Sequence, residues 1–144
     1  MLRAALRVVQ AADGAIVEPL LEIADSSMTY RRRYYAQPRI AQALHLLLTD
    51  EMNTRGLAFQ LAIIAEHLPR LPRDPRAPSP TREERLIVHA RDTLRQAEAV
   101  VSQPWSEERA ALLDGLLGSI EDDLKAMSDA VTDFYFSHAE LQVS

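Results

Sequence analysis

The sequence predicts an all-α fold, an antiparallel bundle of five to six helices closed by one long C-terminal helix. Three observations carry this expectation. Only four of the 144 residues are glycine and 6% are aromatic, whereas sheets need turn glycines and aromatic or β-branched runs. Apolar residues recur at three- and four-residue spacings along most of the chain. The C-terminal third then sustains that spacing through Leu113, Leu117, Ile120, Leu124, Met127, Val131, Phe134 and His138, the a/d seam of a bundle or coiled coil.

The elements follow in order. A short opening helix is expected over Leu2–Ala11, closed by Asp13-Gly14. A second should run from Glu18 to Ala36, with Pro19 tolerated in its first turn. It ends at Gln37-Pro38, because a residue before proline is pushed out of the α region. Its inward face would be Ile16, Leu20, Ile23, Ala24, Met28 and Tyr35, with Ser27 and Arg31 on the same side. The third helix places Ile40, Ala43, Leu44, Leu47 and Leu48 on one face. Asn53 is read as the N-cap of a fourth helix, Thr54 to Leu68. Its stripe of Leu57, Leu61, Ile64 and Leu68, widened by Phe59 and Ile63, makes it a central core element.

Residues 69–80 hold five of the eight prolines and form a stiff connector between two helical parts of a single domain spanning 1–144. Thr81 and Glu84 have the spacing of a capping box, opening a fifth helix with Leu86, Ala90, Thr93, Leu94, Ala97 and Val101 inward. Ser106 caps the sixth, where Glu107 and Glu108 suit the positive helix end. That helix is a rod of roughly 45 Å at 1.5 Å per residue. Gly115 and Gly118 within it suggest a close approach of neighbouring helices.

Composition excludes several functions. No cysteine is present, which removes disulfides, thiol catalysis and cysteine-type zinc sites. The net charge of −5 argues against general nucleic-acid binding. The charge is uneven: residues 1–80 carry 10 basic and 8 acidic groups, residues 81–144 carry 6 and 13. Apolar runs are too short for the roughly 20 residues of a membrane span, and Arg7 interrupts any signal-peptide core. The expected location is cytoplasmic. His45, His67, His89 and His138 match no metal-binding spacing, and the nucleotide-loop and hydrolase motifs are absent. No metal or cofactor is expected, and His45 reads as a structural histidine.

Two polar segments stand out against this background. Asp25 to Tyr35 contains Ser27, Tyr30, Arg31, Arg33 and Tyr34; Asp50 to Gln60 contains Asp50, Glu51, Asn53, Arg55 and Gln60. One reading is a structural network in which Glu51 pairs with Arg31 or Arg33 and ties two helices together. The other is an anion or peptide site, since guanidinium groups grip carboxylates and phosphates bidentately.

These segments also carry a resemblance. LLEIADSSMTYRRRYY and LLLTDEMNTRGLAFQL resemble the Asp-x-Ser…Tyr-Arg-x-Arg-Tyr and Asp-Glu-x-Asn-Pro-Arg-Ser…Gln signatures of the alpha-E domain family. Asp25, Ser27, Tyr30, Arg31, Arg33 and Tyr34 match the first; Asp50, Glu51, Asn53, Arg55 and Gln60 match the second. The stretch from Ser128-Asp129 to Tyr135-Phe136-Ser137-His138 is similar to the family's last helix. Thr54 replaces the family's proline and Gly56 its serine. The resemblance is to the C-terminal half of the family domain, whose Glu-Arg motif lies upstream; Glu84-Arg85 and Glu108-Arg109 stand in another context.

The resemblance implies partners among ATP-grasp-type ligases or transglutaminase-like proteins and a role in making or modifying peptides, with no reaction assigned to the helical domain. Three readings stay open. The first is an accessory or interaction domain of an amide-bond-forming system, with Arg31, Glu51 and Arg55 as its polar focus. The second is an enzyme, in the complete domain, with Glu51 as general base. The third is an oligomerisation bundle that pairs copies through the last helix.

Overall fold

The computed structural model describes residues 17–34, 39–73 and 76–142, and among them every regular element is helical. The helices are α1 (Val17–Ile23), α2 (Ser27–Tyr34), α3 (Ile40–Leu44), α4 (Leu57–His67), α5 (Arg82–Val101) and α6 (Glu107–Gln142). A π-helical turn, His45–Thr49, extends α3, and a 3₁₀ turn, Leu68–Arg70, extends α4. The expected opening helix and its Asp13-Gly14 stop lie outside the described residues, as do Ile16 and Tyr35–Pro38.

The second half of the chain follows its capping chemistry closely. The Thr81 hydroxyl accepts the Glu84 amide at 3.3 Å and the Glu84 carboxylate accepts the Thr81 amide at 2.9 Å, so α5 begins with both orphan donors satisfied. Ser106 Oγ accepts the Arg109 amide at 3.3 Å at the start of α6. Arg85 and Arg109 each reach back five residues, donating to the carbonyl oxygens of Pro80 and Pro104. Helices α5 and α6 then run antiparallel, and His89 Nδ1 meets Asp123 Oδ2 across them at 2.6 Å.

Between α5 and α6 lies the larger core. Ile87, Ala90, Leu94, Ala97 and Val101 of α5 face Leu113, Leu117 and Ile120 of α6, and Leu44, Leu48 and Leu61 complete it. Leu124 and Met127 pack against its edge, while Val131 and Phe134, further along the seam, line a cavity instead. The side chain of His138, the seam's last member, lies outside the described ones. A smaller core joins Val17, Leu20, Leu21 and Tyr30 to Ala43, Leu46 and Leu47. The segment 43–48 is therefore the wall between two cores, with all but His45 buried.

Four expectations are corrected. The helix expected from Glu18 to Ala36 is broken at Ala24-Asp25-Ser26. There the Ser26 amide donates to Leu21 O at 2.8 Å and the Asp25 amide to Glu22 O at 2.9 Å, a Schellman closure with Asp25 at φ 50°. The break rotates the chain, so Ile23 (55% exposed), Met28 (64%) and Arg31 face solvent while Leu21 and Tyr30 are buried. Asn53 is not the cap of α4: Gly56 occupies that place and the helix starts at Leu57. Nor is α4 the centre of the core, since only Leu61 is fully buried and its other apolar residues are half-buried. Finally, a Cβ at Gly115 would meet nothing within 4 Å, so that glycine serves no close helix approach.

Candidate functional site

The two polar segments meet where α1–α2 pack against the α3–α4 junction. The π turn shapes this junction. Its closing bond runs from the Asp50 amide to His45 O at 3.0 Å, a five-residue reach, and it delivers Asp50 into a position only 5% exposed. Single π turns inside α-helices are costly and concentrate at sites with a task. Here the task is to aim one carboxylate inward.

The Asp50 carboxylate has two partners. Oδ2 accepts the Arg33 guanidinium, and Oδ1 accepts the Met52 amide at 2.9 Å. Asn53, also buried, donates through Nδ2 to Leu46 O at 2.9 Å and to Ser26 Oγ at 3.4 Å, and its Oδ1 accepts the Arg55 amide at 3.3 Å. One side chain thus connects the α1–α2 break, the π turn and the loop leading to α4. Tyr30, fully buried, donates its hydroxyl to Gln42 Oε1 at 2.7 Å and accepts the Arg39 amide at 2.9 Å. Its ring lies 4.8 Å from that of Tyr34. The Tyr34 hydroxyl stands 3.5 Å from His45 Nδ1. Burial raises the Tyr34 phenol above its ordinary value, with Arg33 opposing and Asp50 and Tyr30 reinforcing the rise, so it acts as a neutral group.

The remaining signature residues lie at the surface. Arg31 pairs with Glu18 at 3.0 Å and Arg55 with Asp25 at 2.7 Å, all four side chains more than half exposed. Gln60 Nε2 donates to Thr54 O at 2.7 Å, closing the loop before α4. The Ser27 hydroxyl is buried without a hydrogen-bond partner. Glu51 is exposed and borders a recess of about 80 Å³ beside Arg91 and Arg95. The expected pairing of Glu51 with Arg31 or Arg33 is therefore replaced by Asp50 with Arg33. The π turn ends at Thr49, and its closing bond to His45 O holds the next residue, Asp50, in the buried position. Gln42 and His45, which the site gains, carried no signal of their own: each is a lone polar residue on an apolar helix.

Beside this joint opens a groove of about 640 Å³ between α1, α4 and α6. Leu20, Ile23, Leu57 and Leu124 form its apolar surface; Arg55 and Gln60 stand on one rim and Glu121 and Lys125 on the other. The rim charges are paired, Arg55 with Asp25 and Lys125 with Glu121 at 2.9 Å. Among the described residues no group of three or more histidine, aspartate or glutamate side chains could hold a metal, and no helix is long and apolar enough to cross a membrane.

Residues 1–136 match the family model Alpha-E, described as a predicted alpha-helical domain with a conserved ER motif. The chain belongs to the Alpha-E family. Among curated proteins it is similar to uncharacterized proteins of Mycobacterium bovis and Mycobacterium tuberculosis, 33% identical over 129 residues. The match covers 85% of this chain and 14% of each relative. No solved structure matches. Within this Alpha-E chain the two Glu-Arg pairs serve helix starts, Glu84 in the capping box and Arg85 and Arg109 on proline carbonyls. At Gly56 a Cβ would lie 3.1 to 3.3 Å from the carbonyl oxygens of Asn53, Leu46 and Asp50.

Proposed function

We propose that this chain is a helical accessory domain that binds an ATP-grasp-type ligase in an amide-bond-forming system, and that it does so through the groove beside Arg55. The observation that supports this is the division of labour among the signature residues. Asp50, Arg33, Asn53 and Tyr30 are satisfied by one another, by Gln42 or by the backbone within the joint, which leaves them little capacity for a substrate. The groove keeps an exposed Ile23 and a charge-balanced rim, a surface suited to an apolar segment of a partner. The segment matched in the mycobacterial relatives is 14% of their length, which fits a domain that works beside others.

An enzyme with Glu51 as general base is less well supported by this geometry. Glu51 lines the recess beside Arg91 and Arg95 and not the groove. The experiment is a calorimetric titration of the chain with a purified ATP-grasp-type ligase. Saturable binding that is lost in Ile23→Lys and kept in Arg31→Ala is expected. Absence of binding, or binding indifferent to Ile23→Lys, would overturn the proposal.

A further inference from the structure

A second concavity lies further along α6, at Val131 and Phe134, past Ser128 of the groove. Helix α5 has 20 residues and α6 has 36, about 30 Å against 54 Å at 1.5 Å per residue. Running antiparallel, α6 overshoots the start of α5, and its seam residues Val131 and Phe134 project beyond the last residues α5 can offer. Residues 71–73, 77 and 78 of the proline-rich connector line the same cavity. Proline rings fix the backbone and pack as rigid blocks, and they leave a cavity of about 240 Å³.

The walls are apolar: Leu68, Leu71, Pro72 and Pro78 on the connector side, Val131 and Phe134 on α6. The rim is cationic. Arg73 is neutralised by Glu84, which leaves Arg82, Glu83 and Arg85 as the other charged groups among the described residues that line it. Arg85 donates to Pro80 O at 2.6 Å, whereas the Arg82 side chain makes no hydrogen bond or ion pair among the described residues. The Glu84 amide at the helix start is already taken by Thr81, and the Arg82 guanidinium is a rim donor with no partner among the described residues.

We propose that this cavity binds a small apolar monoanion, an aryl or branched-chain carboxylate, with the hydrocarbon between the connector and Phe134 and the carboxylate on Arg82. Size favours this class: an apolar cavity of about 150 Å³ accommodates benzene, so 240 Å³ has room for a phenyl ring and a short chain. One unpartnered guanidinium at the rim suits a carboxylate, which it can grip bidentately. The prolines hold the walls in place before the ligand arrives, which lowers the ordering cost of binding.

The test is a nuclear magnetic resonance titration of the 144-residue chain with 3-phenylpropionate, using 3-phenylpropionamide as the uncharged control. Saturable binding with shifts at Ala77, Val131 and Phe134 is expected. The amide, and Arg82→Ala with the acid, should each bind at least tenfold more weakly. Arg82 is exposed, so its replacement leaves folding intact and the comparison interpretable. Val131→Trp, which fills the cavity, should abolish binding. The proposal is overturned by absence of saturable binding, by equal affinity for acid and amide, or by shifts that map away from the connector.

Discussion

Replacing Asp50 tests the joint where it is most exposed to failure. Its carboxylate is almost fully buried and accepts both Arg33 and the Met52 amide, while Arg33 remains 43% exposed. Breaking a fully buried ion pair costs about 3–5 kcal/mol, and an exposed pair contributes about 0.2–1 kcal/mol. A pair with one member at the surface falls between, so Asp50→Ala should cost about 2–3 kcal/mol once the lost turn bond, about 1 kcal/mol, is included. Asp50→Asn retains an acceptor for Met52 and should cost about half as much. Arg31→Ala is the internal control: both Arg31 and Glu18 are more than half exposed, and its cost should stay within about 0.5 kcal/mol. Urea unfolding followed by circular dichroism at constant m-value measures all three. If Asp50→Ala unfolds at the same urea concentration as the parent, or if Arg31→Ala costs as much as Asp50→Ala, the assignment of the joint to Arg33 and Asp50 is wrong.

Three further outcomes follow from the same geometry. Gly115→Ala adds a methyl group that meets nothing and should raise stability by up to about 1 kcal/mol through helix propensity, read as a higher melting temperature. Gly56→Ala pushes a Cβ against three carbonyl oxygens and should cost about 1–3 kcal/mol; the same denaturation assay would show no loss if the junction can yield. Glu84 is held below its ordinary value of 4.5, first by the Thr81 amide and then by Arg73. A carboxylate with a lowered folded-state pKa stabilises the fold above its unfolded value and loses that contribution as pH falls. Acid titration should therefore destabilise the parent chain below about pH 4.5 more steeply than Glu84→Gln, and parallel curves for the two would contradict the capping-box assignment.

The helices of the second half were legible because their starts are written in local chemistry. Thr81 with Glu84, and Ser106 before two glutamates, act on amides three residues away, and the seam from Leu113 to Met127 is a periodic signal that survives without tertiary information. The first half was less legible for equally physical reasons. Asp25 takes a left-handed conformation that glycine usually marks, so a continuous 3.6-residue pattern concealed a break and assigned Arg31 to the buried face. The π turn has no composition signature, yet it decides that Asp50 and not Glu51 turns inward. The sequence singles out two polar segments, and the structure brings them together at one junction. Its partners could not be paired, because Arg33–Asp50 and Asn53–Ser26 depend on two loop geometries at once.

The central claim is that the signature residues join the α1–α2 break, the π turn and the α4 entry into one body. Amide hydrogen exchange by mass spectrometry on the parent chain and on Asn53→Ala tests it directly, because Asn53 contacts all three. Residues 26–34 and 45–56 should lose protection together while α5 keeps its own. Unchanged protection, or a loss confined to the few residues around position 53, would contradict it.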